Sequence, residues 1–139
     1  MKGGMKPGLS SDHESGIPNF IDPRRRERVG ELLSRPKSRQ AFVAELHHFP
    51  AWDARATIFV PPSEASAQAI AELLRARGAG DQCYLLSAER RFDKMELSLL
   101  DALRQVVGSN SGTIVSCVPG RLAYYEGEDR NTRIILERR

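Results

Sequence analysis

The densest cluster of chemically capable side chains in this sequence is CVPGRLAYYEGED, residues 117–129, with a thiol, an arginine, two tyrosines and three carboxylates. Those groups could serve nucleophilic or acid–base chemistry, or they could be the interleaved faces of a hairpin. L-proline cannot take positive φ at the first corner of a two-residue hairpin, so Val118–Arg121 reads as a four-residue loop. That loop sets Cys117 opposite Leu122, Val115 opposite Tyr124 and Thr113 opposite Glu126. With GEDRN as a five-residue loop, Val115, Cys117, Leu122, Tyr124, Ile134 and Leu136 share one apolar face. The other face then carries Arg121, Tyr125, Arg133 and Ile135, with Tyr125 opposite Arg133 for a ring–guanidinium contact. Aromatic and Arg residues on a half-apolar face are the composition of an interface. These four are the expected protein-contact or self-association residues.

Other chemistry finds less support. His47 and His48 are adjacent, so on a helix they diverge by about 100° and cannot chelate as an i, i+4 pair. His13 lies far from both in sequence, and no metal site is expected. Cys83 and Cys117 are 34 positions apart in apolar runs, which is neither zinc-ligand nor C-x-x-C spacing, and they read as reduced core thiols. There is no G-x-S-x-G elbow, and GSNSGT lacks the lysine and following helix of a phosphate loop. No catalytic residue and no cofactor are identified.

Two anion-binding alternatives remain. If RATIFV and QCYLLS are parallel strands joined by a helix, ligands would gather beyond their carboxyl ends. Ser63 and Ser66 would stand at one end and Ser87, Glu89, Arg90 and Arg91 at the other. The second alternative is nucleic acid, contacted through the phosphates by Arg24, Arg25, Arg26, Arg28, Lys37 and Arg39. Residues 1–40 hold nine of the 21 Lys and Arg against five of the 18 acids, so the overall charge of +3 is concentrated there. Glu27 and Glu31 interleave with those arginines as on an ordinary solvated helix.

The elements that must position these residues follow from periodicity. Residues 1–19 are rich in Gly, Ser, Lys and Pro and read as a flexible tail, with neither a secretory nor a myristoylation signal. Residues 20–139 read as one domain. Within 20–50, Asp22-Pro23 starts one helix with Val29, Leu32 and Leu33 inward, and Pro36 separates a second burying Phe42, Val43, Leu46 and Phe49. From 54 to 139 the pattern is strand–helix–strand–helix followed by three closely spaced strands, GTIVSCV, RLAYYE and TRIILE. Ser63 is the expected cap of the first of these helices, and Ser98 with Asp101 the capping box of the second.

The resulting expectation is an α/β (mixed α+β) fold of order ααβαβαβββ. It has a mixed sheet, partly parallel, that ends in a three-stranded antiparallel meander with helices packed on it. No run is apolar enough to span a membrane. The reading is of a small cytoplasmic, non-enzymatic interaction or regulatory module with a protein partner or a second copy. A binder of, or enzyme for, a small anionic ligand and a nucleic-acid binder are the alternatives.

Overall fold

The computed structural model describes residues 8–129 and 132–138. Five helices surround one six-stranded sheet: α1 Gly8–Gly16, α2 Arg26–Leu33, α3 Pro36–Ala44, α4 Ala67–Ala76 and α5 Leu99–Val106. The strands are β1 Thr57–Phe59, β2 Gln82–Ser87, β3 Glu96–Ser98, β4 Thr113–Val118, β5 Leu122–Glu126 and β6 Arg133–Glu137. The sheet order is β1-β6-β5-β4-β2-β3, and every neighbouring pair is antiparallel. The fold is therefore mixed α+β, without the expected parallel pair. β1 and β2 do run in the same direction, but β6, β5 and β4 lie between them. The short strand β3, hidden in the polar run after β2, returns as a hairpin and takes the edge of β2 that a parallel neighbour would have used.

The helical pair forms where periodicity placed it. Asp22 accepts the Arg24 N–H at 3.0 Å ahead of a 3-10 turn that leads into α2, and α3 begins at Pro36. Val29, Phe42, Val43, Leu46 and Phe49 are buried. Ser98 caps α5 through the Asp101 N–H at 3.3 Å. The cap of α4 is Ser66, which accepts from Ala69 N–H at 3.1 Å, while Ser63 falls in a preceding 3-10 turn.

The hairpin register is only partly the expected one. Thr113 faces Glu126 and Val115 faces Tyr124. Pro119 and Gly120 form the corners of the turn, Gly120 at φ +70°, and Arg121 N–H donates to Val118 C=O at 2.9 Å. Leu122 pairs with Val118 rather than Cys117, which becomes a bulge. Six residues, not five, separate β5 from β6, so Tyr124 faces Ile135, Tyr125 faces Ile134 and Glu126 faces Arg133. An even loop in place of an odd one turns β6 over. Ile135 joins Val115, Cys117, Leu122 and Tyr124, whereas Ile134 and Leu136 join Tyr125 on the other side.

Both faces of the sheet are consequently covered. One is roofed by the chain from Ile17 through α2, α3 and Phe49, the other by α4 and α5. The expectation of an open, partner-binding sheet face is corrected here: Tyr125 is 0% exposed and Ile135 1%. Within the expected tail of residues 1–19, the described residues include α1, which docks on the sheet, and Ile17, which is fully buried. Residues 1–7 lie outside the described residues. The docking of α1 depends on a close backbone approach, because a Cβ on Gly16 would stand 2.4 Å from the Gly120 nitrogen. Among the described residues no helix is long and apolar enough to cross a membrane.

Candidate functional site

Under α1 the sheet carries a buried ionic cluster. Arg39, on the inner side of α3, is 4% exposed. Its guanidinium is held by two carboxylates from distant segments. Nε donates to both oxygens of Glu14 on α1 at 2.9 Å, and Nη1 and Nη2 donate to Asp93, in the loop after β2, at 2.7 and 2.9 Å. Asp93 also accepts Ser87 N–H at 3.0 Å, and Tyr84 Oη on β2 donates to Glu14 at 2.6 Å. Burial by itself would lower the pKa of Arg39, but its bonds to Asp93 and Glu14 outweigh it and push the value up. Tyr84 is pushed up too, first by burial and then by Glu14. The cluster is a fixed floor that ties α1, α3 and the loop after β2 together.

One residue earlier on α1, His13 is buried. Its Nδ1 shares a 2.6 Å hydrogen bond with Ser116 Oγ on β4, and its ring stacks on Tyr84 with centroids 5.6 Å apart. Burial lowers its pKa from the ordinary 6.5 against the opposing pull of Glu96 and Asp12. The ring is thus a neutral peg that holds α1 down.

Above this floor lies a cavity of about 580 Å³. Glu14, Arg39 and Tyr84 form its base, and Pro18, Leu33 and Pro36 give it an apolar side. Ser10, Ser11, Ser15, Ser34, Arg35 and Lys94 give it a polar one. Three cations line it against one carboxylate. Lys94 also lines a second cavity of about 520 Å³ with Gln40, Ser87, Arg90 and Asp93. Its backbone is left-handed, φ +67°, and is pinned there by Lys94 N–H donating to Leu85 C=O at 2.9 Å. A non-glycine residue in that region stores strain of about 1 kcal/mol or more, which the surrounding structure must hold in place. The arrangement offers hydroxyls, cations and a flat apolar side to a small ligand, and no activated nucleophile.

The residues singled out from sequence are scattered around this site. Ser87, Glu89, Arg90 and Arg91 stand at the end of β2, where Arg90 and Ser87 reach the second cavity. Ser87 Oγ bonds Thr113 Oγ1 at 2.7 Å and accepts Glu89 N–H at 2.9 Å, and Arg91 lies over the Phe92 ring. Ser63 and Ser66 follow β1, four strand spacings away, or about 19 Å. The two groups do not converge, because the pairing that was to join them is absent.

Of the basic set, Arg24, Arg25, Arg28 and Lys37 are exposed. Arg26 is turned inward, donating to the Pro18 and Ile21 carbonyls at 3.1 Å and to Asp53 at 3.0 Å, and Arg39 is the buried centre of the cluster. They form no single exposed stripe. Arg121 is exposed on its turn, whereas Tyr125 Oη donates to Leu46 C=O and accepts Phe49 N–H at 3.3 Å. Arg133 reaches Glu126 at 3.4 Å instead of stacking on Tyr125. His47 and His48 both lie near Glu128, and among the described residues no group of three or more His, Cys, Asp or Glu is disposed to hold a metal.

Glu14, Tyr84, Asp93 and Lys94 are not indicated by the sequence, and His13 is considered there only as a metal ligand. Their one local signal is Asp93-Lys94, polar residues in a run between two strand-like segments. A scan against protein-family models, a search of curated proteins and a search of solved structures each returned no match for this chain.

Proposed function

We propose that the protein binds a small anionic ligand, one bearing a phosphate or carboxylate group beside a ring or short apolar part, in the cleft between α1 and the α2–α3 junction. The observation that supports this reading is the base of the cleft. A guanidinium buried between two carboxylates stabilises a fold less than apolar residues of similar size would, because desolvating the charges offsets their attraction. Here it underlies a concavity rimmed by Arg35 and by the strained Lys94. Charged groups held rigid beneath an open pocket pre-organise a polar site. The cations are to meet the anionic group, and Pro18, Leu33 and Pro36 the apolar part. This is the anionic-ligand alternative of the sequence, moved from the joint end of two strands to the end of β2 and the neighbouring helices. The two buried, reduced cysteines suit a reducing compartment such as the cytoplasm.

Thermal denaturation of the full chain with phosphate, sulfate, a nucleoside monophosphate and a dicarboxylate tests the reading. A ligand at one hundred times its Kd raises stability by about 2.7 kcal/mol. At least one of these anions should raise the midpoint, and Lys94→Ala or Arg35→Ala should reduce that rise while Arg28→Ala leaves it. No rise with any of them at millimolar concentration refutes the proposal.

Self-association retains one specific observation. Phe59 on the edge strand β1 is 73% exposed, and among the described residues no other large hydrophobic side chain is exposed. Sedimentation of the wild type beside Phe59→Ser tests it, and a monomer at every concentration removes it.

A further inference from the structure

The chain has two cysteines, 34 residues apart in sequence, and the sheet brings them onto adjacent strands, β2 and β4, within one apolar cluster. β2 and β4 are paired antiparallel through Leu86↔Ile114, Leu85↔Val115 and Tyr84↔Ser116. The paired stretch ends at Tyr84↔Ser116, and the next residue on each strand is Cys83 and Cys117, which that register continued by one step would set opposite each other. The hydrogen bonds say which kind of rung this is. Ala88 N–H donates to Gly112 C=O, whereas Leu85 turns its N–H and C=O to the β3 side, to Met95 and Lys94. Odd-numbered residues of β2 therefore sit at non-hydrogen-bonded positions toward β4, where opposed Cα atoms are about 4.5 Å apart and side chains are closest. A disulfide spans Cα separations of about 4.4–6.8 Å. Both side chains face the core under α4 and α5, and the bulge leaves Cys117 on that face beside Val115.

We infer that Cys83 and Cys117 form a latent cross-strand disulfide couple, which a small peroxide closes across β2 and β4. In the reduced form each thiol donates weakly to a backbone carbonyl, Cys83 to Leu97 at 3.5 Å and Cys117 to Val115 at 3.7 Å. Burial pushes the Cys83 thiol up to about 12 and raises Cys117 as well, with Cys83 near enough to add to that rise. The couple is accordingly slow at neutral pH, and its rate follows the thiolate fraction.

In the first step the Cys83 thiolate attacks one peroxide oxygen, the O–O bond breaks and hydroxide leaves, giving a sulfenic acid. In the second the Cys117 thiolate attacks that sulfur, the S–O bond breaks and a second hydroxide leaves. The two thiol protons convert the hydroxides to water. Two thiols and one peroxide thus become one disulfide and two waters, the protein losing two electrons. The neighbouring rung, Tyr84 and Ser116, holds Glu14 and His13 of α1 on the opposite face, so the new bond fixes the two strands directly beneath the docked helix.

The test is hydrogen peroxide on the native full chain, followed by intact mass, thiol counting and gel filtration at several pH values. The expected product is a monomer two hydrogens lighter, with both thiols lost together and restored by dithiothreitol. Its rate of formation should rise about tenfold per pH unit from neutral to mildly alkaline solution. In Cys117→Ser the same treatment should stop at oxygen adducts of Cys83, with no intrachain bond. Oxygen adducts on Cys83 of the wild type with Cys117 still free, thiols that react only in denaturant, or a disulfide formed only between chains would each overturn the inference. If the variant fails to fold, the wild-type masses and thiol counts decide alone.

Discussion

Two buried carboxylate–arginine systems lie on opposite faces of the sheet, and they are satisfied in different ways. Glu126, fully buried at the end of β5, accepts Gly108 N–H on both oxygens at 3.2 and 3.0 Å, Asn110 N–H at 2.7 Å and Tyr124 Oη at 2.8 Å, with Arg133 3.4 Å away. Its partners are chiefly backbone groups of the turn that closes α5, so the carboxylate acts as an internal cap. Glu14 and Asp93 are satisfied mainly by side chains, through a single guanidinium that ties α1, α3 and the loop after β2 together. The first system stitches a turn to a strand and lines neither of the two cavities described above. The second assembles three separate segments and forms the base of one. Glu126 thus serves the backbone next to it, and on the proposed reading it is the second system, set around a concavity, that would receive a ligand.

The comparison breaks most visibly at Arg39. Arg39→Met leaves two desolvated carboxylates without their cation, and a loss of about 3–5 kcal/mol is expected in urea denaturation. Anion-induced stabilisation should vanish with it. Glu126→Gln sets an amide N–H₂ against groups that are themselves donors and should cost about 2–3 kcal/mol. It should leave the response to anions intact. A Glu126→Gln variant that loses the anion response, or an Arg39→Met variant that keeps it, would show that the two systems do not divide into architecture and site. Tyr84→Phe sharpens the same contrast at lower cost. Glu14 keeps its bonds to Arg39, so the loss of one donor should cost about 1 kcal/mol by the same urea measurement.

These systems also mark where sequence reading succeeds and where it stops. Val29, Phe42, Val43, Leu46 and Phe49 were legible as core because a helix repeats its inward positions at fixed spacing. The Thr113–Glu126 and Val115–Tyr124 register was legible because a hairpin turn constrains it locally. One residue in the following loop was enough to exchange Ile135 for Ile134 and Leu136, since side chains alternate with a period of two. The absence of a parallel pair was not legible, because β3, only three residues long, carries no periodic signal. α1 escaped for another reason. It docks through His13 on Ser116, Glu14 on Arg39 and Gly16 against Gly120, all polar or backbone contacts that an apolar pattern cannot announce. The site itself joins residues 14, 39, 84 and 93, and only the folded sheet makes them neighbours.

The smallest effect is expected at the peg beside the site. His13 is neutral and buried, facing Ser116 and the Tyr84 ring, with Glu96 and Asp12 supplying the nearby negative charge. Its folded pKa lies below the unfolded 6.5, so between those two values the unfolded chain binds a proton that the native ring refuses. Stability contributed by this histidine is therefore complete above about pH 6.5 and is lost as the pH falls through that window. His13→Gln removes the titration. Urea midpoints measured at about pH 7.5 and pH 5 should then fall less in the variant than in the wild type, with His47, His48 and the carboxylates common to both and cancelling in the difference. An equal fall in the two proteins would mean that the ring accepts its proton in place. α1 would then keep its histidine contact with Ser116 and Tyr84 in either protonation state, beside the Arg39 cluster and the Gly16 contact that hold the helix walling the cleft.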